Sequence, residues 1–458
     1  MTSPNSIPIA PGALPLLGHL VPLIRDPYEF LTSLPAHGDV VRVRLGPATM
    51  VVVVCDPGLT DRVLRDDRTF DKGGPIYDRA REVLGDSLST CPHSLHRRQR
   101  RLAQPAFHSA RMPGYAQIMT DHIRTVTGSW HDRQMLDVLS EMFTITSRIT
   151  TATMFSDTVP PATQRQVIDD FAHVIAGVYT RALIPAPLDR LPTPGNRRYH
   201  RARARLQHTV GNLISDRRAT GTDHGDLLSA LLSAHDDLDT HDGNLSDTEI
   251  TNQVLAFYLA GTETTATVLA WALHEVAHHP RIEQALRTEV DAVLGGRPAT
   301  HADLPRLELT GRIITETMRL WPPGWWLTRA TTADTQLGEH LVAKGTVVVC
   351  SPYLIHRRPD LYPEPDRFVP DRWIPDARPQ RDAYIPFVSG ARKCIGERFG
   401  YTEAVLALAT IAARWQLVPQ LKPPVRPTRM GVVIRPRGLR MRTAARIPTS
   451  SRQPSITR

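Results

Sequence analysis

The chain has 458 residues, 41% of them hydrophobic and 22% charged, with a formal net charge of +9. This is ordinary globular chemistry with ample material for a large core, and the four scattered cysteines (Cys55, Cys91, Cys350, Cys394) exclude a disulfide framework or a CxxC zinc site and fit a reducing cytosol. The positive balance has two readings, an anionic partner or arginine inflated by codon bias, and only local clusters can separate them.

Residues 7–24 are apolar, but Pro8, Pro11, Pro15 and Pro22 interrupt them. A spanning helix needs about 20 unbroken apolar residues, and neither a basic n-region nor a cleavage site marks a signal peptide. The expectation is a soluble, cytoplasmic protein without a transmembrane anchor. Segments 39–45 and 49–55 read as a β-hairpin turning at Gly46-Pro47. Helical period follows at 96–107, 163–183, 196–218 and 226–235, with proline-rich turns such as 184–195 between them. Residues 423–440 read as short strands, and 1–10 and 442–458 as flexible tails of one domain spanning 1–458.

The longest predicted helix begins at the capping box Ser246-Asp247-Thr248-Glu249 and runs to His279, where Pro280 stops it. That is about 50 Å at 1.5 Å per residue, enough to cross a domain. Its middle is apolar or small on nearly every side, as a central helix requires. Yet it carries Ala260-Gly261-Thr262-Glu263-Thr264-Thr265. Glycine alone costs roughly 0.5–1 kcal/mol in mid-helix, and a local rule broken at the centre of a fold marks a site.

Residues 387–396 read Phe-Val-Ser-Gly-Ala-Arg-Lys-Cys-Ile-Gly, matching FxxGxRxCxG in full. This resembles the haem-binding loop of cytochromes P450. A thiolate ligand needs its charge stabilised and its sulfur pinned: glycines at 390 and 396 let backbone N–H groups approach, and a helix opening at Ile395 points its positive end at Cys394. Cofactor-binding Phe387, Gly390, Arg392 and Gly396 belong to this loop, with Cys394 as the iron ligand of haem b. Glu316-Thr317-Met318-Arg319 resembles the family's ExxR element, and Phe368 to Trp373 its PERF segment with Asp371 in place of glutamate. The resemblance implies a structural network of Glu316, Arg319 and Arg372 under the loop.

The 260–265 run resembles the family's oxygen-activation motif. Phe257, Ala260, Gly261, Thr264 and Val268 share a helical face, and the resemblance gives Ala260 and Gly261 as room for dioxygen, Glu263 and Thr264 as the catalytic acid–alcohol pair. His96 and Arg100, one turn apart in a run of arginines, match the family's propionate-binding helix, with His96 where tryptophan often stands. Arg329 and Arg392 match the other propionate positions. The predicted pocket walls are Phe257 and Thr265, then Trp325, Trp326 and Leu327, then Met430, Val432 and Val433. They carry no fixed charge, which suits a neutral hydrocarbon-like substrate.

The implied fold is mainly α: a helical prism with a small β-region and haem between the long central helix and the cysteine-loop helix. No GxGxxG unit or flavin module is present, so electrons must come from an acidic ferredoxin and its reductase. A basic face of Arg97, Arg101, Lys393 and Arg398 is its expected dock. Segments 70–75, 95–101 and 195–198 resemble bacterial P450 monooxygenases acting on cyclised terpenes. Such a protein is expected to be a monomer that binds no nucleic acid. Two rivals are a haem-thiolate isomerase or dehydratase, which often lacks the acid–alcohol pair, and a basic nucleic-acid-binding protein, which leaves the cysteine loop unexplained.

Overall fold

The computed structural model describes residues 6–47, 49–156, 160–183, 191–236, 243–377, 379–420, 424–429, 431 and 433–446. In chain order its helices are α1 (Leu20–Arg25), α2 (Pro27–Ser33), α3 (Pro57–Arg65), α4 (Pro75–Leu84), α5 (His93–Ala103), α6 (Met112–Gly128), α7 (Val138–Phe155), α8 (Pro161–Leu183), α9 (Pro194–Thr220), α10 (Leu227–Leu232), α11 (Asp247–His278), α12 (Pro280–Leu294), α13 (Glu308–Leu320), α14 (Pro352–Ile355) and α15 (Glu397–Arg414). The strands are β1 (Val40–Leu45), β2 (Thr49–Val54), β3 (Phe70–Asp71), β4 (Met135–Asp137), β5 (Leu327–Thr331), β6 (Thr335–Leu337), β7 (His340–Val342), β8 (Val347–Cys350), β9 (Trp415–Pro419), β10 (Arg426–Pro427), β11 (Pro436–Arg437) and β12 (Arg440–Ala445).

The valine run of β2 is buried because it is an inner strand. It pairs antiparallel with β1, Val41 opposite Val53, and parallel with β8, Val52 opposite Val348. The sheet order is β1-β2-β8-β5-β3. Around α11 the helices α7, α15, α13 and α12 pack to form the larger core, with Leu269, Ile145, Ile313 and Leu406 fully buried. The capping box forms as expected: Glu249 N–H donates to Ser246 Oγ at 3.2 Å and Ser246 N–H to Glu249 Oε2 at 2.9 Å. The same glutamate takes Arg98 Nη1 at 2.6 Å, so α5 is tied to the start of the central helix.

Two boundaries differ from expectation. The helix predicted over 96–107 ends at Ala103, where Pro105 tightens the chain into a 3₁₀ turn, Gln104–Phe107. The one predicted over 226–235 stops at Leu232. Parts of both segments expected as flexible tails are instead held by backbone pairing. Ala10 N–H donates to Arg42 O at 2.9 Å and Arg42 N–H to Pro8 O at 2.7 Å, covering the open edge of β1. Residues 442–445 continue β12, which is flanked by β4 and β9. Residues 1–5 and 447–458, and 184–190 of the proline-rich turn, lie outside the described residues. No described helix is long and apolar enough to cross a membrane.

Candidate active site

The cysteine loop is rigid for reasons that can be named. Cys394 N–H donates to Phe387 O at 2.9 Å and Lys393 N–H to Gly390 O at 3.1 Å. Gly390 has φ +74°, and a Cβ there would sit 2.7 Å from Leu64 O and Arg65 Cα, so no side chain fits. Ser389 Oγ donates to Asp61 at 2.8 Å and fastens the loop to α3. The Cys394 side chain is accessible, unlike Cys55, Cys91 and Cys350, which are buried. Burial pushes the thiol's pKa up, while the Gly396 N–H and the nearby Arg100 and Lys393 pull it back. Gly396 caps α15, whose first turn directs its partial positive charge at the sulfur.

Across from this loop, α11 opens one face in mid-helix. Ala260 is exposed and Thr264 half-buried, whereas Tyr258 and Thr262 on other faces are fully buried. Phe107 joins the two elements: its ring lies edge-on to Phe257 at 5.2 Å and 4.0 Å from where a Gly396 Cβ would be. Thr264 Oγ1 donates back to Ala260 O at 2.6 Å. The structure gives two residues of this run different surroundings from those expected. A Cβ on Gly261 would meet Thr150 Oγ1 of α7 at 3.3 Å, so glycine there serves the close approach of α7 and α11. Thr265 is buried and faces α15, its hydroxyl 3.4 Å from where a Gly400 Cβ would be and close to Glu403. Burial pushes the fully enclosed Glu403 carboxyl well above the usual carboxylate range. Glu263 is also buried, and pairs with the half-exposed Arg435 at 2.5 Å. That cation is one the sequence did not single out.

The basic cluster forms, with different charges from those expected. His96 is buried, and burial together with Arg392 and Lys72 pushes its pKa down to about 3, so it offers a neutral imidazole. Arg392 is claimed by Asp67 at 3.0 Å, Asp71 at 2.7 Å and Cys91 O at 2.7 Å. Arg100 donates to Lys393 O at 2.6 Å and Gln104 Oε1 at 2.9 Å. Arg329 is 2% exposed, has the Thr328 and Tyr77 oxygens near Nη1, and leaves Nε without a hydrogen-bond partner among the described residues. Lys72, which sequence reasoning missed, donates to Ser89 O at 2.5 Å, and burial plus Arg329 and Arg392 push it down to about 7. A buried guanidinium with an open donor beside a second strained cation calls for an anion, and two carboxylates answer it. Its chemistry, with an accessible thiol on one side and an open helix face on the other, fits a haem and its propionates.

The network under the loop is closely knit. Glu316 and Arg319 of α13, both fully buried, form two parallel bonds of 2.8 Å. Arg319 also donates to His356 O, Pro365 O and Arg367 O at 2.6 to 2.9 Å. Glu316 accepts from Val369 N–H and Trp373 Nε1–H, each at 2.9 Å, while Arg372 stands off at 3.5 Å. His356 was missed. It is buried, its pKa pushed down to about 3 by burial and then by Arg319. Ile385 N–H donates to its Nε2 at 2.9 Å, so the proton sits on Nδ1, which faces Arg319 O at 3.2 Å. That imidazole links α13 to the strand of chain entering the cysteine loop.

Of the predicted walls, Trp325 turns away into the β-side core: its ring packs on Tyr28 at 5.2 Å and its Nε1 donates to Gly431 O at 2.9 Å. Trp326 and Leu327 are half-open. Val433 is buried and its backbone bridges Gly324. Met430 and Val432 lie outside the described residues.

This is the arrangement of a haem-thiolate enzyme. Residues 8–442 match the family model described as Cytochrome P450. The chain is 43% identical to a pentalenene oxygenase of Streptomyces avermitilis, over 96% of this chain and 97% of that one. It is 45% identical to a cyclooctatin synthase of Streptomyces melanosporofaciens, over 92% of each. To a cyclooctat-9-en-7-ol 5-monooxygenase of the same organism it is also 45% identical, over 90% of this chain and 89% of that one. The solved haem domain of cytochrome P450DA superposes with a TM-score of 0.86 at 27% identity, covering 96% of this chain and 98% of that one. The chain belongs to the cytochrome P450 family and is a haem-dependent monooxygenase.

Proposed function

We propose that this protein oxygenates a neutral cyclic terpene in secondary metabolism, with Cys394 as the residue whose thiolate would hold the iron of haem b. The observation that carries the substrate class is the 43–45% identity, over nearly full length, to relatives named for pentalenene and cyclooctatin chemistry. Uncharged Phe257, Ala260, Trp326, Leu327 and Val433 as pocket walls support it. When bound, the haem supplies reductive activation of dioxygen, its thiolate ligand favouring O–O cleavage.

The chain's own residues have separable tasks. Gly396 N–H and the start of α15 stabilise sulfur charge. Arg329, Arg100 and Lys72 neutralise the propionates, His96 adding a neutral N–H donor and Arg392 a guanidinium shared with Asp67 and Asp71. Ala260 leaves room on the oxygen side. Thr264 releases its bond to Ala260 O to present a hydroxyl, and Glu263 moves protons inward from the Arg435 side. Glu316, Arg319 and Arg372 hold the loop. Electrons arrive from an acidic ferredoxin and its reductase, and the protein works as a single-domain cytoplasmic monomer.

The test is a spectral titration of the substrate-free enzyme with cyclic sesquiterpenes and diterpenes. A high-spin shift with these, and none with charged or glycosylated compounds of similar size, is the expected outcome. The reverse pattern rejects the substrate class.

A further inference from the structure

Trp271 lies on α11 seven residues beyond Thr264, hence on the same face and about 10 Å along the helix. Its indole stacks on Trp321, the residue capping α13, with ring centroids 4.0 Å apart and planes 8° from parallel. Hydrogen bonds hold both rings: Trp271 Nε1–H donates to Ile434 O at 2.7 Å, and Trp321 Nε1–H to Glu275 Oε1 at 2.8 Å.

The second bond is the informative one. A backbone carbonyl satisfies a buried indole, as it does for Trp271, so packing does not demand a carboxylate. Glu275 is only 9% exposed, and burying a carboxylate is costly. Burial raises its affinity for a proton, against the pull of the Trp321 N–H, His279, His278 and Arg357. On Trp321 a further constraint acts: the Arg357 guanidinium lies over the ring at 5.3 Å. A cation on that face disfavours positive charge on the indole, so an electron can leave Trp321 only if the N–H proton leaves too. Glu275 Oε1 is where that proton would go. Trp321 is itself half-buried and reachable by small solutes, while Trp271 beside it is sealed.

We infer that the Trp271–Trp321–Glu275 cluster is a discharge site that protects the enzyme when oxygen is activated without substrate. The inference rests on Thr264 marking the oxygen side of the haem. One electron passes from Trp321 through Trp271 to the oxidised haem centre, and the indole proton passes from Nε1 to Glu275. A one-electron reductant from solution, a thiol or ascorbate, then returns an electron to the Trp321 radical as Glu275 returns the proton. Two such cycles, with two protons taken up from solvent on the oxygen side and as many released by the oxidised reductant, discharge a two-electron oxidising equivalent as water and leave the protein unchanged.

The test uses substrate-free holoenzyme mixed with a peracid, freeze-quenched, and read by electron paramagnetic resonance together with haem bleaching. Wild type should give a protein radical whose hyperfine structure changes when the protein is grown on ring-deuterated tryptophan. Trp321→Phe should remove that signal and bleach several-fold faster. Glu275→Gln, which keeps the stack and a hydrogen-bond acceptor, should lower the radical yield several-fold. A radical insensitive to tryptophan deuteration, or one that persists with unchanged bleaching in Trp321→Phe, overturns the proposal. The reduced carbon-monoxide spectrum is recorded for each variant. A normal thiolate band with a radical elsewhere rejects the discharge site alone, whereas a missing band in wild type rejects the haem-thiolate assignment beneath it.

Discussion

Gly390 and Thr264 are single residues on which opposite sides of the site depend. At Gly390 a methyl group would collide with Leu64 O and Arg65 Cα at 2.7 Å, and φ is +74°. Both contacts are backbone, so neither can swing aside. Gly390→Ala is expected to fold yet bind haem poorly, measured as the ratio of Soret to protein absorbance; full occupancy would show that the loop can shift as a unit. Thr264 bonds its own helix at 2.6 Å through Ala260 O, so its hydroxyl must rotate to act. Thr264→Ala should keep terpene binding but lower product formation by roughly 10²-fold, electrons going to hydrogen peroxide instead. Unchanged coupling of NAD(P)H consumption to product would remove Thr264 from proton delivery. The buried imidazoles give a pH signature. His96 and His356 are pushed from 6.5 to about 3, so they stay neutral in the fold where an unfolded chain would protonate them. The unfolded state binds more protons between those values, hence stability falls as pH drops from about 6.5 towards 3 and levels off below. Urea midpoints across that range should fall less steeply for His356→Gln than for wild type.

At the scale of elements, α13 and the segment after it behave as one clamp. The Glu316–Arg319 pair is wholly buried, and removing one partner strands the other charge. Arg319→Ala should destabilise by about 3–5 kcal/mol and yield little haem-loaded protein, measured by denaturation and the Soret band. Stability within about 1 kcal/mol of wild type would show that the pair is dispensable. How far such features were legible depends on how local they are. The capping box at Ser246, the hairpin at Gly46-Pro47 and the i,i+3 pair Glu316–Arg319 each lie within a few residues, where spacing alone fixes geometry. The site's other partners do not. Arg392 reaches Asp67 across 325 positions, and Glu263 meets Arg435 from the far end of the chain. Nothing in the periodicity of 260–265 distinguishes Ala260, on the open face, from Gly261, against α7. His356 had no motif to announce it, and Lys72 and Trp373 lay in recognised segments that gave them no role, because packing alone gives a lone lysine, histidine or indole its task.

For the whole molecule, the net charge of +9 says less about docking than where the individual cations are engaged. Arg101, expected on the docking face, makes a bidentate pair with buried Asp236 at 3.0 and 2.6 Å, and Lys393 pairs with Glu397. Arg97 and Arg398 remain exposed. Reversing both to glutamate should slow reduction by an acidic ferredoxin several-fold at low salt and leave terpene affinity unchanged. The difference should shrink as ionic strength rises, since exposed charges are screened beyond about 8–10 Å. Wild-type rates across the salt series would place the dock elsewhere. The most direct test of the account is the absorption spectrum of the reduced, carbon-monoxide-bound protein, wild type beside Cys394→His. Thiolate ligation by Cys394 predicts a strongly red-shifted Soret band in wild type, replaced in Cys394→His by the unshifted band of an imidazole-ligated haem. A red-shifted band that survives in Cys394→His, or its absence from haem-loaded wild type, would contradict it.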